Sequence, residues 1–174
     1  MRFLLVDRIT QFQPGESISA VKNLSLAEEY LADHFPGFPV MPGVLMLESL
    51  VQTGAWLMRM TEDFRYSTIL LKQAKALKFN NFMKPGMTLK ITASVHKRSE
   101  REYVFKAEGI PQTGIETART VPSAVSARIT LEQRNLADEN PEMAKSDERQ
   151  IGEFRKLLPQ IWSGQDMATV ESHQ

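Results

Sequence analysis

The chain has 174 residues, 42% hydrophobic and 24% charged, the balance expected of one folded domain with a sizeable core and a modest appendage. Its formal net charge is zero, which gives no electrostatic case for nucleic acid or an anionic membrane as partner. The absence of cysteine removes disulfides, thiolate zinc sites and cysteine nucleophiles together, and suits a reducing cytoplasm.

The first apolar run breaks at Asp7, too short for a signal-peptide core or a bilayer span. Phe3–Ile9 and Ser17–Asn23 read as strands, and Pro14-Gly15 between them predicts a hairpin turn. Ser25 followed by Glu28 has the spacing of a capping box and predicts a helix over 26–32. His34–Gly43 holds three prolines and two glycines in ten residues, which forbids regular structure and gives a stiff loop. From Gly43 to Met60 the chain is apolar on almost every face. It reads as an enclosed helix, and Glu48, Gln52 and Arg59 argue against a membrane span.

Thr68–Gln73, Ala76–Phe82, Met87–Arg98, Glu102–Glu108 and Ala124–Glu132 read as strands, with turns at Lys84-Pro85-Gly86, His96–Arg101 and Gly109–Gly114. An early buried helix followed by antiparallel strands predicts an α+β fold, a sheet wrapped around that helix. Beyond Leu136 the composition changes. Residues 136–153 carry six acidic residues against Lys145 and Arg149. Ile151, Phe154, Leu157, Leu158 and Ile161 then recur at helical spacing. The chain therefore divides into a domain over 1–135 and a charged linker with an amphipathic helix over 136–174, whose last dozen residues read as frayed.

Two residues stand out for chemistry. His34 lies in the rigid loop, and Glu48, 14 residues later, lies two turns into the apolar helix. A carboxylate is costly to bury charged in such a helix, which favours the protonated form that a general acid needs. Histidine titrates near neutrality and suits a general base. Between them, the helix N-terminus exposes the N–H groups of Gly43 and Val44, able to bind a carbonyl oxygen as it gains negative charge. Acid, base and oxyanion site together fit removal of a proton alpha to a carbonyl with loss of a beta leaving group. Taken singly, a loop histidine is commonly a hydrogen-bonded surface residue, and a helix glutamate can pair with a cation such as Arg59.

The residues from His34-Phe-Pro-Gly-Phe-Pro-Val-Met-Pro-Gly through Val44-Leu-Met-Leu-Glu48-Ser-Leu-Val-Gln52 resemble, without a gap, the signature of the beta-hydroxyacyl-acyl carrier protein dehydratases of FabZ/FabA type, H-F-P-G-x-P-x-x-P-G-V-L-x-x-E-x-x-x-Q. Leu4–Arg8, Pro14-Gly15, Phe79 and Pro85-Gly86 extend the resemblance over roughly residues 1–132. Glu48, rather than aspartate, is similar to the FabZ branch. Met87, where the family usually carries aspartate, and Asn80-Asn81-Phe82, less basic than is common there, depart from it, and bear on substrate length and partner.

The resemblance implies a hot-dog fold, a curved antiparallel sheet around the long helix. It further implies a homodimer, or a trimer of such dimers, in which His34 of one subunit meets Glu48 of the other. His34 is then the base and Glu48 the acid. Gly43, with Val44, holds the thioester carbonyl, and Gln52, one turn after Glu48, orients its carboxyl. No metal or redox cofactor is implied, because the thioester itself acidifies the alpha carbon. The implied partner is acyl carrier protein. Lys72, Lys75, Lys78, Lys84, Lys90, Lys97, Arg98 and Arg101, with Glu100 as the only acid in that interval, would attract its acidic surface. Those lysines could equally be a solvated outer face of strands. The nine methionines, Met41, Met46, Met58, Met60, Met83 and Met87 among them, either line an acyl tunnel or fill the core. His96 and His173 take no assigned role. Two other functions stay open, a hot-dog acyl thioesterase and a non-catalytic acyl-binding subunit.

Overall fold

The computed structural model describes residues 4–35, 37–113 and 121–164. A hairpin of β1 (Arg8–Gln13) and β2 (Ser17–Asn23) opens the chain, joined through Pro14-Gly15. The short helix α1 (Tyr30–Asp33) and the long helix α2 (Gly43–Thr61) follow. Strands β3 (Thr68–Phe79), β4 (Thr88–Arg98), β5 (Glu102–Gln112) and β6 (Val125–Arg134) complete one antiparallel sheet in the order β1-β2-β4-β5-β6-β3. Two 3-10 turns, Leu136–Asp138 and Pro141–Met143, lead into helix α3 (Ala144–Ile161). This is the α+β arrangement that the pattern of elements predicts, and the hot-dog fold that the resemblance implies.

Alternation in the strands explains how the sheet wraps the helix. Leu89, Ile91 and Ala93 of β4, Tyr103, Phe105 and Ala107 of β5, and Val125, Ala127, Ile129 and Leu131 of β6 all point inward and are buried. They meet Leu50, Trp56, Leu57 and Met58 of α2 in one core. Gly54 sets the closeness of that packing, since a Cβ there would stand 3.0 Å from Leu131 and 3.2 Å from Phe105. The buried hydroxyls of Ser49 and Thr53 donate back to the carbonyls of Leu45 and Ser49, which lets two polar residues sit inside an apolar helix.

Four local expectations are corrected. The first strand begins at Arg8, not Phe3. Leu5 and Val6 are buried but enter unpaired, because the Leu5 N–H is given to the side chain of Gln52. Ser25 and Glu28 form no capping box. Glu28 instead takes an ion pair at 2.8 Å from the buried Lys22, and only Tyr30–Asp33 is helical. The segment read as two strands is one, β3. It stays in register with β6 through irregularities at Leu71/Gln73 and Lys75/Lys78, with Ala76 at φ 51°. Residues 109–112, read as part of a turn, continue β5, with Gly109 opposite Val125, while Gly114 lies outside the described residues. The tail read as frayed also lies outside them beyond Gly164, and so do Met1–Phe3 and His173.

Helix α3 is tied to the body by a buried carboxylate. Asp147 accepts from the hydroxyl of Ser67 and, at 2.9 Å each, from the N–H groups of Leu136 and Ala137. Burial alone would raise its pKa, but these hydrogen bonds more than offset that and hold it below the usual carboxylate value. Arg155 adds a hydrogen bond to the carbonyl of Asp63. Among the described residues no helix is long and apolar enough to cross a membrane.

Candidate active site

The histidine loop is built from both ends. His34 follows α1, its N–H still donating to the Tyr30 carbonyl at 3.2 Å. Phe35 then takes the left-handed region, φ 54°, a conformation uncommon for an aromatic residue. Phe38 N–H closes the turn on the Phe35 carbonyl at 2.7 Å. Downstream, Val40 and Met41 are buried, and Met41 N–H donates to the Met83 carbonyl. Within this frame His34 Nδ1 lies 2.9 Å from the Val40 carbonyl oxygen. A carbonyl only accepts, so Nδ1 carries the proton and Nε2 is left as the basic nitrogen. The Phe35 ring packs edge-on against the imidazole, with centroids 4.5 Å apart.

The acid is held on α2. Gln52 Nε2 donates to Glu48 Oε1 at 3.0 Å, while Gln52 Oε1 accepts from the Leu5 N–H at 2.9 Å. One amide thus bonds the carboxylate and satisfies the N–H of the incoming chain. Pro42 precedes the helix, and the N–H groups of Leu45 and Met46 turn back to its carbonyl. Those of Gly43 and Val44 sit in the first turn and have no intrahelical partner. Gly43 is also where Phe79 of β3 comes closest, since a Cβ there would lie 3.2 Å from that ring.

Glu48 and Gln52 line a cavity of about 680 Å³ between α2 and α3. Its α2 wall continues through Val51, Ala55, Trp56 and Arg59, one stripe of the helix. His34 is not among the described residues lining it, so one chain brings together Glu48 and Gln52 but not the histidine. Among the described residues no methionine lines it either, and Met41, Met46, Met58 and Met83 are buried core. Arg59, a possible partner for Glu48 by sequence, instead lies over the Phe154 ring at 3.7 Å and near Trp56 at 5.7 Å. Neither that stacking nor the Leu5–Gln52 bond has a local signal in the sequence.

Residues 1–114 match the family model described as the FabA-like domain. The chain belongs to that family. Curated relatives of the chain include proteins named FabZ. It is 41% identical over 104 residues to the 3-hydroxyacyl-[acyl-carrier-protein] dehydratase FabZ of Latilactobacillus sakei, covering 60% of this chain and 74% of that one. It is 37% identical over 118 residues to the FabZ of Caulobacter vibrioides, covering 67% and 73%. Among solved structures it resembles the dehydratase heterocomplex ApeI:P of Xenorhabdus doucetiae, with a TM-score of 0.61 at 15% identity over 82% of this chain and 90% of that chain, a likeness of fold.

In this FabA-like chain the basic segment is sorted by folding into paired and unpaired groups. Lys72 pairs with Glu102 and, at 3.7 Å, with Glu132, and Arg101 pairs with Asp138 at 2.8 Å. Lys75 and Lys78 join Lys106 and Arg128 in a concavity on the outer face of the sheet, which Glu108 also lines. Lys84 lies over the Phe38 ring at 4.6 Å, on the histidine loop.

Proposed function

We propose that this FabA-like chain is a hydro-lyase that removes water from a 3-hydroxyacyl thioester, with His34 as base and Glu48 as acid. The substrate carbonyl accepts from the free N–H groups of Gly43 and Val44 at the start of α2, where developing negative charge is stabilised. His34 Nε2 takes the alpha proton. The electron pair of that bond forms the C2–C3 double bond, the C3–O bond breaks, and the hydroxyl leaves as water with the proton of Glu48. The observation that carries this assignment is the bond from His34 Nδ1–H to the Val40 carbonyl, which keeps the second ring nitrogen basic and aimed by a rigid loop.

The site is completed by a second copy. His34 does not line the Glu48 cavity of its own chain, and exposed apolar side chains flank the histidine loop. β3 is an edge strand with exposed Leu70, Leu71 and Phe79, and the loop and helix start add exposed Phe35, Phe38 and Val44. A homodimer across this edge covers these residues and brings the His34 of one subunit to the Glu48 of the other. The acyl group arrives on acyl carrier protein, whose acidic surface suits Lys75, Lys78 and Lys84.

Incubating the purified protein with 3-hydroxyacyl thioester and following enoyl absorbance together with free thiol tests the reading. Enoyl product supports dehydration, whereas thiol release alone would indicate a thioesterase and neither signal a binding subunit. His34→Ala and Glu48→Gln each lower the rate by about 10²- to 10⁴-fold while the oligomer stays folded. Full activity in either variant removes that residue from the mechanism.

A further inference from the structure

The cavity does not end at the reacting groups. From Glu48 it follows the α2 stripe Gln52, Ala55, Trp56 to Arg59, and its opposite wall is α3, with Arg149, Phe154 and Leu157. Arg59 is 8% exposed, and its Nε has no hydrogen-bond partner. Among the described residues no carboxylate or carbonyl lies within bonding distance of its guanidinium, which is held only by the Phe154 and Trp56 rings. Burial pushes its pKa down to about 10, so it remains a cation at neutral pH. A guanidinium whose carbon lies 3.7 Å over an aromatic ring, and which lines the cavity, can still present N–H donors to a carboxylate. Leaving it buried and unpaired is unfavourable, and a ligand anion would relieve that.

We infer that α3 and α2 together form the acyl pocket of this enzyme, and that Arg59 selects acyl chains whose far end carries a carboxylate. This rests on the dehydratase reading, because Glu48 marks the reacting end. Eleven residues separate Glu48 from Arg59 along α2, about 16 Å, so a chain of roughly a dozen carbons spans the two. Val51, Ala55, Ile69 and Leu157 give that chain apolar walls.

The test compares two 3-hydroxyacyl thioesters of about a dozen carbons, one ending in a methyl group and one in a carboxylate. The intact protein turns over the carboxylate-ended substrate with roughly tenfold or higher kcat/KM, expressed mainly in KM. In Arg59→Met the ratio falls to about one or below, and Arg59→Lys, which keeps the charge, restores part of it. No preference in the intact protein, or a preference that survives Arg59→Met, overturns the inference.

If neither thioester is dehydrated, the reaction assignment fails and the pocket is read by binding alone. The protein has two tryptophans, and Trp162→Phe leaves Trp56, which lines the cavity, as the reporter. Quenching by a long α,ω-dicarboxylic acid, weakened in Arg59→Met, upholds the pocket. No quenching overturns it.

Discussion

The reacting end of the site and the helix that walls its far side are held by contacts of very different reach. His34 is fixed by a carbonyl six residues away and Glu48 by an amide four residues away, inside one loop and one helix. Helix α3 is fixed by Asp147 to Ser67, 80 residues apart, and by Arg155 to Asp63, 92 apart. Local contacts are set as soon as a proline-rich loop and one helix form, whereas long-range ones exist only in the finished fold. The proposed chemistry is therefore a property of a short segment. The pocket proposed to select its substrate is a property of the whole chain.

Cutting the far anchor gives the largest effect expected from breaking that division. Asp147→Asn leaves one of three donors poorly matched in a buried site and removes the charge that strengthens all three, so the protein loses about 3 kcal/mol and α3 loosens. Thermal melting measures the loss, and the protease sensitivity of α3 measures the loosening. The pH dependence follows from the lowered pKa of this carboxylate. Its contribution is fully present above the ordinary carboxylate pKa and is lost as pH falls through the lower folded value, and the variant lacks that part of the acid sensitivity. An unchanged melting temperature across this range would show that α3 is not anchored there.

A smaller effect is expected at the near end. Gln52→Met keeps length and apolar contact but removes both the bond to Glu48 and the acceptor for Leu5 N–H. We expect kcat to fall about five- to tenfold with KM little changed, since one hydrogen bond of orientation is lost while the proposed base and acid both remain. A change confined to KM would place Gln52 in substrate binding alone.

The same contrast explains how much was legible in the sequence. The rigid loop, the enclosed helix, the inward alternation of β4 to β6 and the hairpin at Pro14-Gly15 follow from periodicity and turn chemistry, which act over a few residues. Ser25 and Glu28 misled because Lys22, only six residues before Glu28 but on β2, captured the glutamate that would have closed the cap. β3 read as two strands since Ala76 in a left-handed conformation, φ 51°, is a bulge that only pairing with β6 sustains. Arg59 read as a possible partner of Glu48, and only the position of Phe154, distant in sequence, turns it toward a ring. Spacing reveals that a carboxylate and an imidazole are present. It does not reveal what a helix from the far end of the chain places opposite them.

The basic segment tests the division on the outer surface, where the expected effect is smallest. Of the eight cations in sequence, folding pairs Lys72 and Arg101 with acids from β5, β6 and the turn at Asp138, and gathers Lys75 and Lys78 with Lys106 and Arg128 in one concavity on the outer face of the sheet. Charge of this kind governs encounter more than the bound state. Raising salt should therefore slow turnover of a carrier-linked substrate several-fold while a short thioester mimic, which has no acidic carrier to steer, changes little. Lys75→Glu with Lys78→Glu should reproduce the effect at low salt, and Lys72→Glu should do less, since its charge is already met within the chain. Equal salt sensitivity of the two substrates would assign these lysines to the solvated face of the sheet.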